Sequence, residues 1–472
     1  MSTTRGHHHR VRPPGGKRRG TILIVTMWVV LVLAGLVLVL ARAMRAEIVS
    51  SGNELSRTQA GLVEQGAIQY VLSCVDSLEG QTPDEAETPC EAVRLGQGAF
   101  WIIRPDYEDD RAYAYGIVDE ASKINLNYLV DEASKVKRID TSKLADMTDE
   151  LAAGITDWCD GDEDITPGGA ESEYYLLLSD PYQCKSAPLE TVEELLLVKG
   201  ATKEILCGED VNRNGVLDTN EDDGDVADPP DNRDGQLDRG LAAFATVYSV
   251  ERNRASDGQD RINVTQASNR GALVTLLRSV ISSPERVAAI SGRILRGRPF
   301  SNVLDFADKA GLTVQEFRPI ADRLTSDAAG TLRGLVNVNT APKEVLACLP
   351  DLDDSDVAAL LARRAGADAD LSNLAWVFEA LPHPKASAIG GSITTRTYRF
   401  SADIVSVSAD GRAFRRCRIT VDAQSSPPRV IHYQDLTHLG WPLAPGILAA
   451  LRAGASLDDI ATGQTVAREA SL

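Results

Sequence analysis

A chain of 472 residues with 43% hydrophobic residues has material for more than one packed core, because single cores stop growing near about 250–300 residues. Its formal net charge of −19 argues against wrapping around nucleic acid, which requires a surplus of Lys and Arg on one face. Seven cysteines fit an oxidising compartment; sequence proximity pairs Cys74 with Cys90 and Cys159 with Cys184, and the odd count leaves at least one unpaired.

Taken in chain order, residues 1–20 form a short basic leader whose His7, His8 and His9 lack the further ligands that define a metal site. Residues 21–41 carry no charge, and a helix of that length reaches across a hydrocarbon layer of about 30 Å. Arg10, Arg12, Lys17, Arg18 and Arg19 precede it, so positive charge holds the N-terminus in the cytoplasm and sends the body across. Helical periodicity continues through Ile68, Val71, Val75 and Leu78, which predicts one long helix leaving the membrane. Two strand-like runs follow at 99–103 and 112–118, then a long acidic helical section, then a hairpin over 395–421 turning at Asp410-Gly411. Helix first and antiparallel sheet later predicts an α+β fold.

Within the middle section a phrase recurs as KINLN at 123–127, RINVTQA at 261–267 and GLVNVNTA at 334–341, each ahead of a helical run. The segments at 189–206 and 342–364 resemble helix-hairpin-helix units. Such units bind DNA backbone through turn amides, so a membrane-anchored DNA receptor of the competence type is the alternative function. The turn Pro350-Asp351-Leu352-Asp353-Asp354 argues for a packing module instead, because its carboxylates repel phosphate.

Asp210, Asn212, Asn214, Gly215, Leu217, Asp218 and Glu221 fall at positions 1, 3, 5, 6, 8, 9 and 12 of an EF-hand loop. Val216 supplies the carbonyl of position 7, so the loop predicts calcium. A second cluster, Asp231, Asn232, Asp234, Gly235, Leu237 and Asp238, repeats the core with Pro230 at position 1 and Leu241 at position 12, which makes it a degenerate or shortened loop. No nucleophile elbow, HExxH or Walker loop occurs, and outside the leader the only histidines are His383, His432 and His438, so no enzyme is expected.

Several marks then occur together: Arg19-Gly20 abutting an apolar helix with Trp28, VDEASKINLN at 118–127, ITDWCDGDED at 155–164, GAESEYY at 169–175, LETVEELLLVKG at 189–200 and VNVNTAPKEVLACLP at 336–350. In these the chain resembles the type II secretion system protein K family of minor pseudopilins, over most of its length to about residue 423. The resemblance implies a cytoplasmic leader (1–20) cleaved after Gly20 and methylation of the new N-terminus at Thr21. It further implies the transmembrane part of the helix (21–45), pseudopilin helix and first strands (46–118), and a helical calcium-binding insertion (119–388) with SAM-like, helix-hairpin-helix-like units. Closing pseudopilin strands (389–435) and a tail (436–472) complete the division, with the calcium segment at 209–240. It implies a subunit at the pseudopilus tip in the inner membrane, body in the periplasm, with minor pseudopilins I and J, the major pseudopilin, the inner-membrane platform and membrane lipid as partners. Asp157, Asp160, Asp162, Asp164 and Glu171 match family segments and are further candidate ligands. Val25, fifth from Thr21, stands where ordinary pseudopilins carry Glu; an unpaired carboxylate is costly in an apolar filament core, which fits a subunit with nothing above it.

Overall fold

The structure is a computed structural model describing residues 19–456 apart from 85, 132–135, 138, 145–146, 225, 227–228 and 297–299. The basic leader up to residue 18 and the chain beyond 456 lie outside the described residues. Two compact units, Met1–Thr58 and Gln59–Leu472, are each described by themselves.

In the first unit, helix α1 (Arg19–Val75) carries near its start an uncharged, exposed stretch, residues 21–41, and is long and apolar enough to span a membrane. The Thr26 hydroxyl donates to the Leu23 carbonyl at 2.9 Å, so its polar group is satisfied within the helix, as a hydrocarbon setting demands. Gly20 and Thr21 are exposed residues in its first turn.

In the second unit the end of α1 lies on a seven-stranded antiparallel sheet. Its strands are β1 (Val93–Leu95), β2 (Gly98–Arg104), β3 (Ala114–Tyr115), β4 (Val118–Asp119), β5 (Arg399–Val407), β6 (Phe414–Asp422) and β7 (Arg429–Asp435). The order is β1-β2-β5-β6-β7, with β3 on β2 and β4 on β5. The strand expected at 112–118 is thus divided: Gly116 and Ile117 separate a piece paired antiparallel with β2 from one paired antiparallel with β5. The hairpin turn falls at Asp410-Gly411 as expected, with Gly411 at φ +62° and Ser408 and Ala413 bonded across it.

Val63, Ala67, Val71 and Val75 recur every fourth residue along α1 and meet Phe100, Ile102, Phe400, Ile404, Cys417, Ile419 and Val421 on one sheet face. Gly98 permits this approach, since a Cβ there would stand 2.5 Å from the Val407 carbonyl and 2.7 Å from Val63. The other sheet face carries Trp101, Ile103, Val405 and Val407. It is covered by Leu443 and by a helix at Pro445–Arg452 that buries Ile447, Leu448 and Leu451. The tail expected over 436–472 is therefore corrected in its first part: those apolar side chains have a sheet face to cover, and each buried one contributes about 1.5–3 kcal/mol.

Between β4 and β5 the helical insertion is built from three similar modules, which explains the recurring phrase. Ile124–Asn125 pairs in parallel with Ala245–Thr246, Ile262–Asn263 with Leu324–Thr325, and Val336–Asn337 with Ile393–Thr394. In each clasp the Asn carbonyl oxygen accepts the amide two residues on, from Asn127, Thr265 and Asn339. In each, the Thr hydroxyl likewise accepts the amide two residues on, from Tyr248, Asp327 and Arg396. These local bonds turn the chain sharply out of a two-residue strand. The last clasp strand carries the insertion past the expected boundary at 388.

A helical hairpin precedes each second clasp strand: Val192–Leu197 with Lys203–Cys207, α2 (Val303–Ala310) with α3 (Val314–Ala321), and Val377–Ala380 with His383–Ile389. Thr202, Asn302 and Thr313 cap helices here by accepting amides. In the first module the acidic segment 209–240 is inserted between hairpin and clasp, where the second module needs only Asp322-Arg323.

Candidate calcium site

The loop 210–221 is folded around its own side chains. Asp210, 7% exposed, accepts the amides of Asn214 and Gly215 at 2.9 and 3.0 Å. Asn212 accepts the amide of Asn214, and Asn214 that of Val216. Gly215 has φ +75°, the turn expected at position 6. Both Asn side-chain amides donate to Asp218, at 2.6 and 3.0 Å. Glu221 folds back to accept the Asp218 amide at 3.0 Å.

One oxygen of Glu221 is left over. Its Oε1 is buried without a hydrogen-bond partner, in a residue only 1% exposed. Burial, with Asp210, Asp218 and Glu209 nearby, pushes its carboxyl up to about 8. Burial also raises Asp210, against the amides of Gly215 and Asn214 and the charges of Arg416 and Arg418. A buried carboxylate with an orphaned oxygen among other carboxylates is short of a cation. Among the described residues no group of three or more His, Cys, Asp or Glu side chains alone is placed to hold a metal ion. The oxygens on hand instead include Asn212, Asn214 and the Val216 carbonyl, the hard donor set suited to calcium.

The second loop is arranged differently. Glu209, which sequence reasoning passed over, reaches into it and accepts the amides of Asn232 and Asp238 at 3.0 and 3.2 Å. Asn232 and Asp234 are exposed and accept local amides, from Asp234 and Gln236. Asp238 accepts that of Gly240, and Asp231 those of Gly224 and Arg233.

A third acidic pocket joins two of the family segments. Glu171 is 2% exposed and both its carboxylate oxygens lack hydrogen-bond partners. Burial, together with Asp157, Asp160 and Glu163, pushes it up to about 7. Asp157 at the end of helix Asp149–Cys159 is fully buried and accepts the Thr166 amide. Asp160 is half-buried, whereas Asp162 and Asp164 are exposed, so the structure brings together Asp157, Asp160 and Glu171 and leaves Asp162 and Asp164 at the surface.

Neither pair drawn from proximity, Cys74 with Cys90 or Cys159 with Cys184, is joined by a disulfide in the structure. Cys90 donates to the Thr88 carbonyl, Cys159 to the Asn127 side chain and Cys184 to the Asp157 carbonyl. Burial raises the Cys74 and Cys184 thiols and pushes Cys159 up to about 12.

The turn that would hold a DNA phosphate is occupied by the protein itself. Asp353 accepts the amides of Ser355 and Asp356, Lys385 pairs with Asp353 and Asp356, and Lys143 donates to the Leu352 carbonyl at 2.7 Å.

Two segments match family models described as type II secretion system (T2SS), protein K. One covers residues 122–207, from the first clasp to the end of its hairpin. The other covers 336–381, in the third module. Both matched ranges are thus segments of the type II secretion system protein K type. Among curated proteins none matches. A chain from the crystal structure of the GspK-GspI-GspJ complex of the enterotoxigenic Escherichia coli type 2 secretion system is similar at 12% identity, over 83% of this chain and 98% of that chain, with a TM-score of 0.35. The acidic segment 209–240 lies between the two matched ranges.

Proposed function

We propose that this chain is a non-catalytic minor pseudopilin that starts assembly at the tip of the type II secretion pseudopilus and thereby supports export across the outer membrane. The observation that carries the reading is the pair of protein K segments inserted between two strands of an antiparallel sheet, in a chain whose N-terminal helix has an exposed apolar stretch. The uncharged start of α1 sits in the inner membrane, the basic leader faces the cytoplasm and the body faces the periplasm. Cleavage after Gly20 and methylation of Thr21 release the helix for assembly, and Val25 fits a subunit with none above it. Minor pseudopilins I and J are the partners by analogy with the similar complex; the major pseudopilin and the inner-membrane platform follow from the family.

Calcium belongs to the same proposal. Asp210, Asn212, Asn214, Val216 and Glu221 would hold it in the first loop. The ion supplies positive charge to groups that otherwise repel one another. The protein's part is to bury those oxygens and keep their backbone turns in place.

Intact mass and N-terminal sequencing of the chain made with and without a prepilin peptidase test the reading. A methylated chain beginning at Thr21 is expected. A chain that keeps Gly20 under active peptidase would sink it, leaving a membrane-anchored protein for which DNA binding would be measured next.

A further inference from the structure

The acidic loops are interlocked with each other and with the sheet. Glu209, just before the first loop, fills the second, and Arg239, just after the second, donates to the Gly215 carbonyl in the first at 3.4 Å. Both loops then grip one residue outside them. Leu217 and Leu237 hold the same position in the repeated G-x-L-D core; the Leu217 amide donates to the Asp110 carbonyl at 2.7 Å and the Leu237 amide to the Asp110 carboxylate at 3.1 Å. Arg239 pairs with that carboxylate at 2.7 Å and also donates to the Asp106 carbonyl. Asp110 lies in the connection between β2 and β3.

A second grip comes from β6. Arg416 has no exposed surface; it donates to the carbonyls of Asn212 and Arg213 at 2.6 and 2.7 Å while held by Asp403 of β5. A third comes from the C-terminal cover, where the Asn214 side chain donates to the Pro442 carbonyl at 3.2 Å. Residues at positions 3, 4, 5 and 8 of the first loop are thus tied to three parts of the sheet layer.

We propose that the paired acidic loops are a calcium-set clamp fastening the helical insertion to the pseudopilin sheet, with Asp110 as the anchor shared by both loops. This rests on the calcium reading of the first loop. Cation binding at Asp210 and Glu221 fixes the loop backbone, and the fixed backbone holds Asp110, Arg416 and Pro442 in register, so order passes from ion to sheet through main-chain bonds already made.

Hydrogen exchange of the full chain in detergent, with calcium or with chelator, tests it. Calcium is expected to slow exchange in 105–113 as well as in 209–240, by about tenfold, a size ordinary for coupled sites. In Asp110→Ala, calcium still protects 209–221 and no longer protects 105–113. Protection confined to 209–240 in the unaltered chain, while calorimetry shows calcium bound, overturns the clamp and leaves the calcium site standing. An unaltered chain that binds no calcium overturns both. The unaltered chain decides the matter even where Asp110→Ala fails to fold.

Discussion

Replacing Arg416 with Met tests how far the sheet depends on one buried charge. The guanidinium makes two bonds to Asp403, both 2.9 Å, and two to the carbonyls of Asn212 and Arg213. Losing one member of a buried ion pair costs about 3–5 kcal/mol, because the other charge stays behind. Arg418, also 2.9 Å from Asp403, remains and brings this to ~2–3 kcal/mol, while the two carbonyls left without their donor add ~1 kcal/mol each. A loss of about 4 kcal/mol is expected in urea unfolding of the full chain in detergent. The double variant Arg416→Met, Asp403→Leu should regain part of it, since no stranded charge is left.

The pH dependence of the same pair has a definite sign. Burial raises Asp403, but Arg416 and Arg418 more than offset it and hold the folded carboxyl below its ordinary value of 3.8. As pH falls through that value the unfolded chain takes up the proton first, so this stabilisation is present above it and disappears as pH drops through the folded value. Arg416→Met should flatten that acid limb. A loss below about 1 kcal/mol, or a double variant as unstable as the single one, would refute the reasoning.

Three further outcomes are expected. Chelation should speed proteolysis within 209–240, and Glu221→Gln should abolish the difference between calcium and chelator; equal cleavage under both conditions in the unaltered chain would count against the ion. Gly98→Val should lower stability by ~2 kcal/mol or more in thermal melts, because the new side chain meets the Val407 carbonyl and Val63. A chain ending at Gly440 should lose about 2–4 kcal/mol and bind a hydrophobic dye, since Trp101, Val405 and Val407 lose Leu443, Ile447, Leu448 and Leu451.

The parts of the fold legible in the sequence are those written as local patterns. The uncharged run after Thr21, the even-numbered Phe400 and Ile404, the Asp410-Gly411 turn and the EF-hand spacing each announce a structure within a few residues. The three Ile/Val-Asn phrases were legible as a repeat but not as clasps, because their partners at Ala245, Leu324 and Ile393 lie far along the chain. Glu209, Asp110 and Arg416 were missed for the same reason: each acts on a segment remote in sequence. Glu209 carries no spacing signal, since it precedes the loop whose positions were counted. The helix at Pro445–Arg452 falls in the stretch read as a tail, because the sheet face it covers could be known only once β2 and β5 were paired.

The clasps also bear on how such a chain can lengthen. Each module's ends are brought together by a pair of two-residue strands, so whatever lies between them is a closed loop whose entropy cost grows only with the logarithm of its length. The first module closes a loop about twice as long as either of the others, and a doubling costs only ~0.6 kcal/mol. New sequence entering between a hairpin and its second clasp strand leaves the closure intact, so a tract of acidic residues can be acquired there at little expense to the fold and then put to use.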